Sequence, residues 1–534
     1  MQAQSVRRRR AVPTLCRSVR SRRPGVLIVA VAGLLACLGT GIAAPSAAAA
    51  GSQERPLTIS VGSQPGAVIP GDFLGLSLET PALHLPALET RSPLLANLLS
   101  GLGKGVLRVS GDSVDHTQWL PTPGPAASWA LTTVTPEDLH HLAAVLNASG
   151  WRLILGLDLG HLQPSALTEE ANAAGSILGA SLAGLAIGNE PDLYTQPPAQ
   201  PFRSVLGSEP LRSGGWSFSN YQGELAKARN AVAAAGASTP LYGPESATGN
   251  WLQAYASTEA AGTAALSAHL YPLDRCRSER LLPHGPTIAQ LLSAAVQQSE
   301  TGRIRELAGI ADSHHLPLRI DELGSIACGG QPGTSNTFAA ALWALDAALI
   351  AAREGVAGVN FTSGLGSCQA GGTLLSPWYS PLCALANGQL TARPEYYALA
   401  LVRSLEGCAF VPVSAHSTRN VATFALRAPD GALHVVIDDM ETATSGVGGD
   451  HASSSPRPIP VTLLLGPAYK HASALRLSAP SAGALQGASL GGVALRANGT
   501  LPNPHSEPLA SSGGTVTVRV QPASATVVTL AAHA

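Results

Sequence analysis

The sequence predicts a (β/α)8 barrel followed by a C-terminal antiparallel β-sandwich, on three observations. Eight short apolar runs alternate with helical patterns between residues 67 and 394, the rhythm of a parallel barrel. After residue 395 the texture changes to short valine-rich runs cut by Gly, Pro and Ser, the pattern of a sandwich. Carboxylates and amides collect where the apolar runs end, as at the C-terminal rim of a barrel.

The chain has 534 residues, 45% hydrophobic and 13% charged, the composition of a folded globular protein. Residues 1–50 read as an export signal and spacer. "VRRRR…RSVRSRRPG" is the positive segment, "VLIVAVAGLLACLGTGIAA" the apolar one, and "PSAAAA" offers small-residue cleavage sites. "SRRPGVL" resembles a degenerate twin-arginine signal, and Cys37 in "LLAC" offers a lipobox for a lipid anchor. An uncleaved membrane anchor is the alternative reading. No later run is long and apolar enough to span a bilayer, so no stable membrane span is expected after processing. The expected location is secreted or periplasmic.

Eight arginines and no acid precede residue 51, so the remainder carries 25 basic and 34 acidic residues, net −9. No basic run is left to follow a polyanion, so nucleic acid is not an expected partner.

Residues 51–66 contain an early strand, "RPLTISVG", that can join the sandwich. The barrel then occupies 67–394. Its runs are "AVIPGDFLGLSLE" (67–79), "GVLRVSG" (105–111), "RLILGLDLG" (152–160) and "LAGLAIGNE" (182–190). "PLYGPES" (240–246), "ALSAHLYP" (265–272), "PLRIDELGS" (317–325) and "VAGVNFTSG" (356–364) follow. Between them, "TPEDLHHLAAVLNASG" has a helix cap at Thr135, Pro136 in the first turn and a stop at Gly150. "NTFAAALWALDAALIAAREG" reads as an amphipathic helix to Gly355. A doubly wound sheet is the rival, but no glycine-rich phosphate turn follows the first run. Residues 395–534 hold the last barrel helix and the sandwich, with strands expected at "HVVIDDM", "PIPVTLLLG", "SALRLSAP", "GVALRANG", "GTVTVRVQP" and "ATVVTLAA".

The run ends supply Glu79, Asp112, Asn189, Glu190, Glu245, His269, Tyr271, Asp321, Glu322 and Asn360. Glu190 ends the fourth run and Glu322 the seventh, and strand ends of one rim face a common mouth. Glycosidic bonds need such a pair, one carboxyl protonated to serve the leaving oxygen and one ionised to attack carbon. Asn189 can bond a sugar hydroxyl, and Tyr271 can hold the nucleophile ionised. Asp192 and Asp321 read as structural, holding backbone or an arginine such as Arg319. Glu245 stays undecided, and His269 reads as packed or orienting. No cofactor and no metal site is expected, since the "HH" pairs at 140–141 and 314–315 point in different directions.

With Cys16 and Cys37 in the signal, five cysteines remain. Cys276–Cys328 and Cys368–Cys383 are expected to bridge loops after strands six to eight, leaving Cys408 as a buried free thiol.

"LGLSLE" (74–79), "LRVSGDSVD" (107–115), "GNEPDLY" (188–194) and "HLYPL" (269–273) are the stretches from which a family can be read. "RIDELGSIACGGQPGTSNTFAAALWALD" (319–346), "GVAGVNF" (355–361), "WYSPL" (378–382) and "RPEYYALAL" (393–401) extend them. In these the chain resembles glycoside hydrolase family 79, the β-glucuronidases and heparanases of clan A. The resemblance runs from about residue 55 to 405 and implies an exported, exo-acting, retaining β-glucuronidase that takes a glycan or glucuronide substrate. It implies Glu190 as acid/base, Glu322 as nucleophile, and Glu79, Asp112 and Asn189 as holders of sugar hydroxyls. Backbone N–H groups at Cys328, Gly329 and Gly330, with the Tyr379 hydroxyl, would meet the sugar carboxylate. Ala327 stands where the family often has tyrosine, and "SCQAGGTLLSP" (367–377) is an insertion. A β-glucosidase, an endo-acting heparanase-like enzyme and a non-catalytic glycan-binding surface protein are the alternatives.

Overall fold

The computed structural model describes residues 56–236, 239–276, 285–442, 456–465 and 469–532. All belong to one compact unit, Glu54–Ala534. The export signal expected over residues 1–50, with its Cys37 lipobox, lies outside the described residues. Among the described residues no helix is long and apolar enough to cross a membrane.

Eight strands close a parallel barrel: β1 (Leu74–Glu79), β2 (Val106–Ser110), β3 (Arg152–Leu157), β4 (Leu182–Ile187), β5 (Leu241–Ser246), β6 (Thr263–Leu270), β7 (Leu318–Leu323) and β8 (Gly358–Thr362). β8 returns to pair with β1, Asn360 opposite Gly75. Both faces of such a strand are covered, which is why the runs are apolar without alternation; all of β4 is buried. The helix Pro136–Ser149 starts as its sequence requires. The Thr135 hydroxyl accepts the Asp138 N–H, the Asp138 carboxylate accepts the Thr135 N–H, and Gly150 ends the helix at φ 76°.

Beyond the helix Pro394–Arg403, two sheets stack face to face. In the smaller, the early strand Leu57–Val61 lies between Val413–Ala415 and Ile459–Leu464, antiparallel to the first and parallel to the second. The larger includes Val421–Arg427, Leu433–Asp439, Ser524–Ala532 and Tyr469–Ser478. Ile59, Val435, Val461, Val518 and Val528 fill the space between the sheets. The outer face of the larger sheet, with Phe424, Val436 and Val527, joins the core of the barrel.

Three expectations change, and one strand is added. Ala67–Pro70 faces the sandwich end rather than β1, because Phe410 N–H donates to Ala67 and Ile69 N–H to Cys408. "GVALRANG" is a turn region with a lone bridge at Val493, where glycines and an asparagine break the pairing. Val421–Arg427 is a strand that valine content alone does not mark. The helix Phe338–Arg353 is not amphipathic: every residue from Phe338 to Ala352 is buried. The barrel covers one side of it and the helix Pro394–Arg403 another, while loop carbonyls of Ala482 and Ala484 accept its first N–H groups.

That double cover buries carboxyls. Glu300, Asp346 and Asp438 are each at most 3% exposed. Trp343 donates to Glu300 at 3.0 Å, and neither Asp438 oxygen has a hydrogen-bond partner. Burial pushes Glu300 up to about 8 and Asp346 up to about 7, and raises Asp438 well above the carboxylate range. A carboxyl that holds its proton more tightly folded than unfolded stabilises the fold fully below its unfolded value. That contribution is lost as pH rises toward the folded value. Thermal unfolding should therefore show the melting temperature falling between about pH 5 and 8. Glu300→Gln, which still accepts from Trp343, should flatten part of that fall. Parallel pH curves for the two proteins would contradict this account.

Candidate active site

The C-terminal mouth of the barrel opens into a cavity of about 730 Å3 lined by Glu79, Asp112, Asn189, Glu190, His269, Tyr271, Glu322, Cys328 and Tyr379. The sequence-predicted residues from β1, β2, β4, β6 and β7 thus converge. Beneath its floor is a residue that sequence reading passed over, Arg108, fully buried on β2. Its guanidinium meets Glu245 at 2.6 Å, Asn189 Oδ1 at 2.7 Å, Ser77 Oγ at 2.8 Å and Glu322 at 3.1 Å. The signal was one arginine inside the apolar run "VLRVS". An unpaired charge in a buried strand is too costly to keep, so partners had to exist.

β4 ends in a bend. Gly188 takes φ 76°, where a Cβ would lie 2.5 Å from the Tyr194 hydroxyl. Glu190 follows in the left-handed region at φ 47°, ψ 53°, a conformation that costs a non-glycine residue about 1–3 kcal/mol. Asp115 holds the bend: its carboxylate accepts the N–H groups of Leu159, Gly160 and Asn189 and the hydroxyl of Tyr194. Asn189 is then locked from both sides, accepting from Arg108 and donating to Asp112 at 3.2 Å.

The carboxyls of Glu190 and Glu322 face each other, and His269 lies beside both. One oxygen of each glutamate and one ring nitrogen of His269 all lie within 4.8 Å of one another. His269 Nδ1 is 3.0 Å from Glu190. Tyr271 donates to Glu322 at 2.7 Å and contacts Thr362 at 2.9 Å. Their environments pull the two carboxyls apart. Burial raises Glu190 above the usual range, with the His269 N–H only partly opposing it. Burial also acts on Glu322, but the charges of His269 and Arg108 and the Tyr271 hydrogen bond outweigh it and hold Glu322 below that range. Glu79 accepts the N–H groups of Asp112 and Ser113, and burial lifts it to about 7. Burial keeps Asp112 protonated well above its ordinary value, with Glu79 and Glu190 adding to the effect.

Behind this layer Glu245 and Asp321 are both fully buried. Burial would raise Glu245, but Arg108 overrides it and keeps it ionised, while burial and the Glu245 charge leave the proton on Asp321. His269 Nε2 lies 3.7 Å from each. Asp321 therefore belongs with Arg108, 3.7 Å away, and not with Arg319, which donates instead to Asn360 and to the carbonyls of Phe73 and Leu74. Asn360 is structural, bonding the carbonyls of Leu76 and Val106. Asp192 accepts from Ala247 N–H and the Thr248 hydroxyl and holds backbone, as its sequence context suggested. Glu190–His269–Glu322 and Glu245–His269–Asp321 are spaced as metal ligands could be, and Arg108 supplies positive charge to Glu245, Asp321 and Glu322.

The loop after β7 is pinned by Cys276–Cys328, and Cys368–Cys383 closes the loop after β8; Cys408 is free and buried. Cys328, Gly329 and Gly330 take φ of 64°, 85° and 76° in succession. Cys328 lines the cavity, but Gly329 and Gly330 are buried behind it. A Cβ on Gly329 would meet the Gly372 backbone at 2.9 Å, and one on Gly330 would meet Trp378 and the Tyr379 N–H at 3.0 Å. These glycines serve close loop packing first. The Tyr379 ring packs on Tyr271 with centroids 5.8 Å apart.

Arg108→Met should leave Glu245 and Glu322 as uncompensated charges, at a cost of about 3–5 kcal/mol in urea unfolding. A stability equal to wild type would mean that the guanidinium is not what the centre rests on.

No family model and no curated protein matches the chain. Solved structures do match in fold. A 4-O-α-L-rhamnosyl-β-D-glucuronidase from Fusarium oxysporum 12S is 20% identical with a TM-score of 0.67, over 89% of this chain and 100% of that one. A GH51 arabinofuranosidase from Xanthomonas axonopodis pv. citri is 15% identical with a TM-score of 0.62, over 89% and 99%. The catalytic domain of GH30 xylanase C from Talaromyces cellulolyticus is 13% identical with a TM-score of 0.51, over 89% and 99%. The chain therefore shares the barrel-and-sheet fold of clan A glycoside hydrolases.

Proposed function

We propose that this protein is an exported retaining β-glycosidase that removes a terminal sugar, with a β-glucuronide as its substrate. The observation that carries the reading is the Glu190–Glu322 pair, with oxygens within 4.8 Å and opposite displacements of their carboxyls. Retaining hydrolysis uses carboxyls about 5–5.5 Å apart, whereas inversion needs about 6.5–9.5 Å to admit a water between them. Glu322, ionised and aimed by Tyr271, attacks the anomeric carbon. Glu190, protonated, gives its proton to the departing oxygen. Glu190, now a carboxylate beside the His269 N–H, takes a proton from water, and that water releases the sugar from Glu322 with its configuration restored.

Two further features support a terminal uronate. Phe202 and Leu374, from loops after β4 and β8, pack together over Glu79, Glu322 and Tyr379, and a mouth closed on that side suits removal of one terminal residue. Cys328 and Tyr379 line the cavity together with Glu322, where the Cys328 N–H and the Tyr379 hydroxyl would meet a sugar carboxylate. The family 79 resemblance covers the same residues. Two disulfides suit an oxidising compartment.

Glu322→Gln should abolish turnover without unfolding the protein, and the first product seen by NMR should be the β-anomer. An α-anomer would exclude retention. kcat/KM should be bell-shaped in pH, its acid limb set by Glu322 below the usual carboxylate range and its alkaline limb by Glu190 above it. Glu190→Ala should remove the alkaline limb on substrates with good leaving groups; an unchanged limb would assign the proton elsewhere. For the uronate, Tyr379→Phe should weaken a β-glucuronide by about tenfold or more, the scale of one hydrogen bond to a charged group, and leave the matching β-glucoside unchanged. Equal losses on both would place the carboxylate contact elsewhere.

A further inference from the structure

Of the two facing carboxyls, Glu190 has the fewer side-chain partners. Glu322 accepts from both Arg108 and Tyr271, whereas the Glu190 carboxyl has one hydrogen-bond partner among the described residues, His269 at 3.0 Å. Its direction therefore depends on the backbone that carries it, a residue in the left-handed region between β4 and the turn Pro191–Leu193. Three groups of that bend are tied to other parts of the chain. The Asn189 N–H donates to Asp115 at 3.1 Å and the Glu190 N–H to the Glu245 carbonyl at 2.8 Å. The Pro191 carbonyl accepts the indole N–H of Trp216, 25 residues further on, at 2.8 Å.

Trp216 reaches that carbonyl because the chain after Glu190 makes an excursion and returns. The Arg212 N–H donates to the Tyr194 carbonyl at 2.9 Å and closes the excursion at its neck. There the rings of Tyr194 and Trp216 stack with centroids 5.7 Å apart, and the Arg212 guanidinium lies over both, 5.5 and 5.1 Å from their centres. The Tyr194 hydroxyl donates to the same Asp115 oxygen that accepts the Asn189 N–H. Arg212 donates in turn to the carbonyls of Leu159 and Gly160, whose N–H groups Asp115 accepts. Tyr194 and Asp115 are buried, and Trp216 is half-buried. The bend is thus gripped on both sides of Glu190, and one pair of stacked rings joins the two grips. Among the described residues none of these side chains bonds either catalytic carboxyl.

We infer that Trp216 and Tyr194 are positioning residues for the general acid, gripping the Glu190 bend through the Pro191 carbonyl and through Asp115. The inference rests on the glycosidase reading above, in which Glu190 gives its proton to the departing oxygen. Proton transfer needs hydrogen-bond reach, and a misplacement of about 1 Å can cost about a hundredfold in rate. The attack by Glu322 does not draw on this grip, because Arg108 and Tyr271 aim that carboxyl from other strands. Loosening the grip should therefore harm the steps in which Glu190 moves a proton and spare the attack on carbon.

Trp216→Phe and Tyr194→Phe each remove one hydrogen-bond donor and keep a ring in the stack, so either variant alone decides. The test compares phenyl with 2,4-dinitrophenyl glycosides, the second of which needs little protonation to depart. Each is made as the β-glucuronide and as the β-glucoside, so that a wrong sugar assignment leaves the comparison intact. In kcat/KM, which reports the steps up to loss of the leaving group, each variant should lose about tenfold or more on the phenyl glycoside and less than about threefold on the dinitrophenyl one. Equal losses on the two, as a merely structural role would give, overturn the inference, and so does an undiminished rate on the phenyl glycoside. If the wild type turns over no glycoside, the glycosidase reading fails. The grip is then read without turnover, by NMR titration of isotope-labelled glutamate carboxyls assigned through Glu190→Gln and Glu322→Gln. In Trp216→Phe a displaced Glu190 midpoint beside an unmoved Glu322 midpoint supports the grip, and any other pattern overturns it.

Discussion

One guanidinium organises the centre of this barrel. Arg108 is fully buried and within 4 Å of Glu245, Asp321 and Glu322, with Asn189 and Ser77 taking its remaining hydrogen bonds. A lone cation could not stay in that interior, and neither could three carboxylates without it. Their mutual requirement ties β1, β2, β4, β5 and β7 to one point. It also leaves Asp321 protonated, since a single positive charge cannot hold every neighbouring carboxyl ionised.

From that point the differences between the two facing glutamates follow. Glu322 touches Arg108 and Tyr271 and is held below the usual carboxylate range; Glu190, at the end of β4, touches His269, and burial holds it above that range. Two residues of one type acquire opposite character because the cation is nearer to one of them. The bend that presents Glu190 is held by Asp115, which gathers N–H groups from the loops after β3 and β4. The strained backbone at Glu190 is thus over-determined by its neighbours, as such strain must be to persist.

The loops divide the mouth. Phe202 and Leu374 close over the Glu79 and Glu322 side, and Cys368–Cys383 fixes the loop that carries Leu374. The Leu193–Leu211 segment, which carries Phe202, also lines the main cavity, with Pro197, Pro198 and Leu211 beside Thr195, Gln196 and Arg203. A rigid scaffold with variable loops at the strand ends is how one barrel supports many specificities. Here the charged centre belongs to the strands and the boundary of the mouth to the loops.

The sequence by itself determined the eight strands, because burial on both faces demands continuous apolar runs and their ends show where polarity returns. It determined the helix cap at Thr135, a local hydrogen-bond pattern, and it brought Glu79, Asp112, Asn189, Glu190, Tyr271, Glu322 and Tyr379 forward as one set. Only the tertiary structure decided what depends on residues distant in the chain. The all-round burial of Phe338–Arg353 comes from a second layer that helical periodicity cannot register. Gly329 and Gly330 looked like ligand-facing residues, yet Gly372 and Trp378, some forty residues onward, occupy the space beside them. Arg108 is the clearest case. Its run gave one arginine among apolar neighbours, but its partners lie 81, 137 and 214 residues away, and only barrel closure brings them within reach.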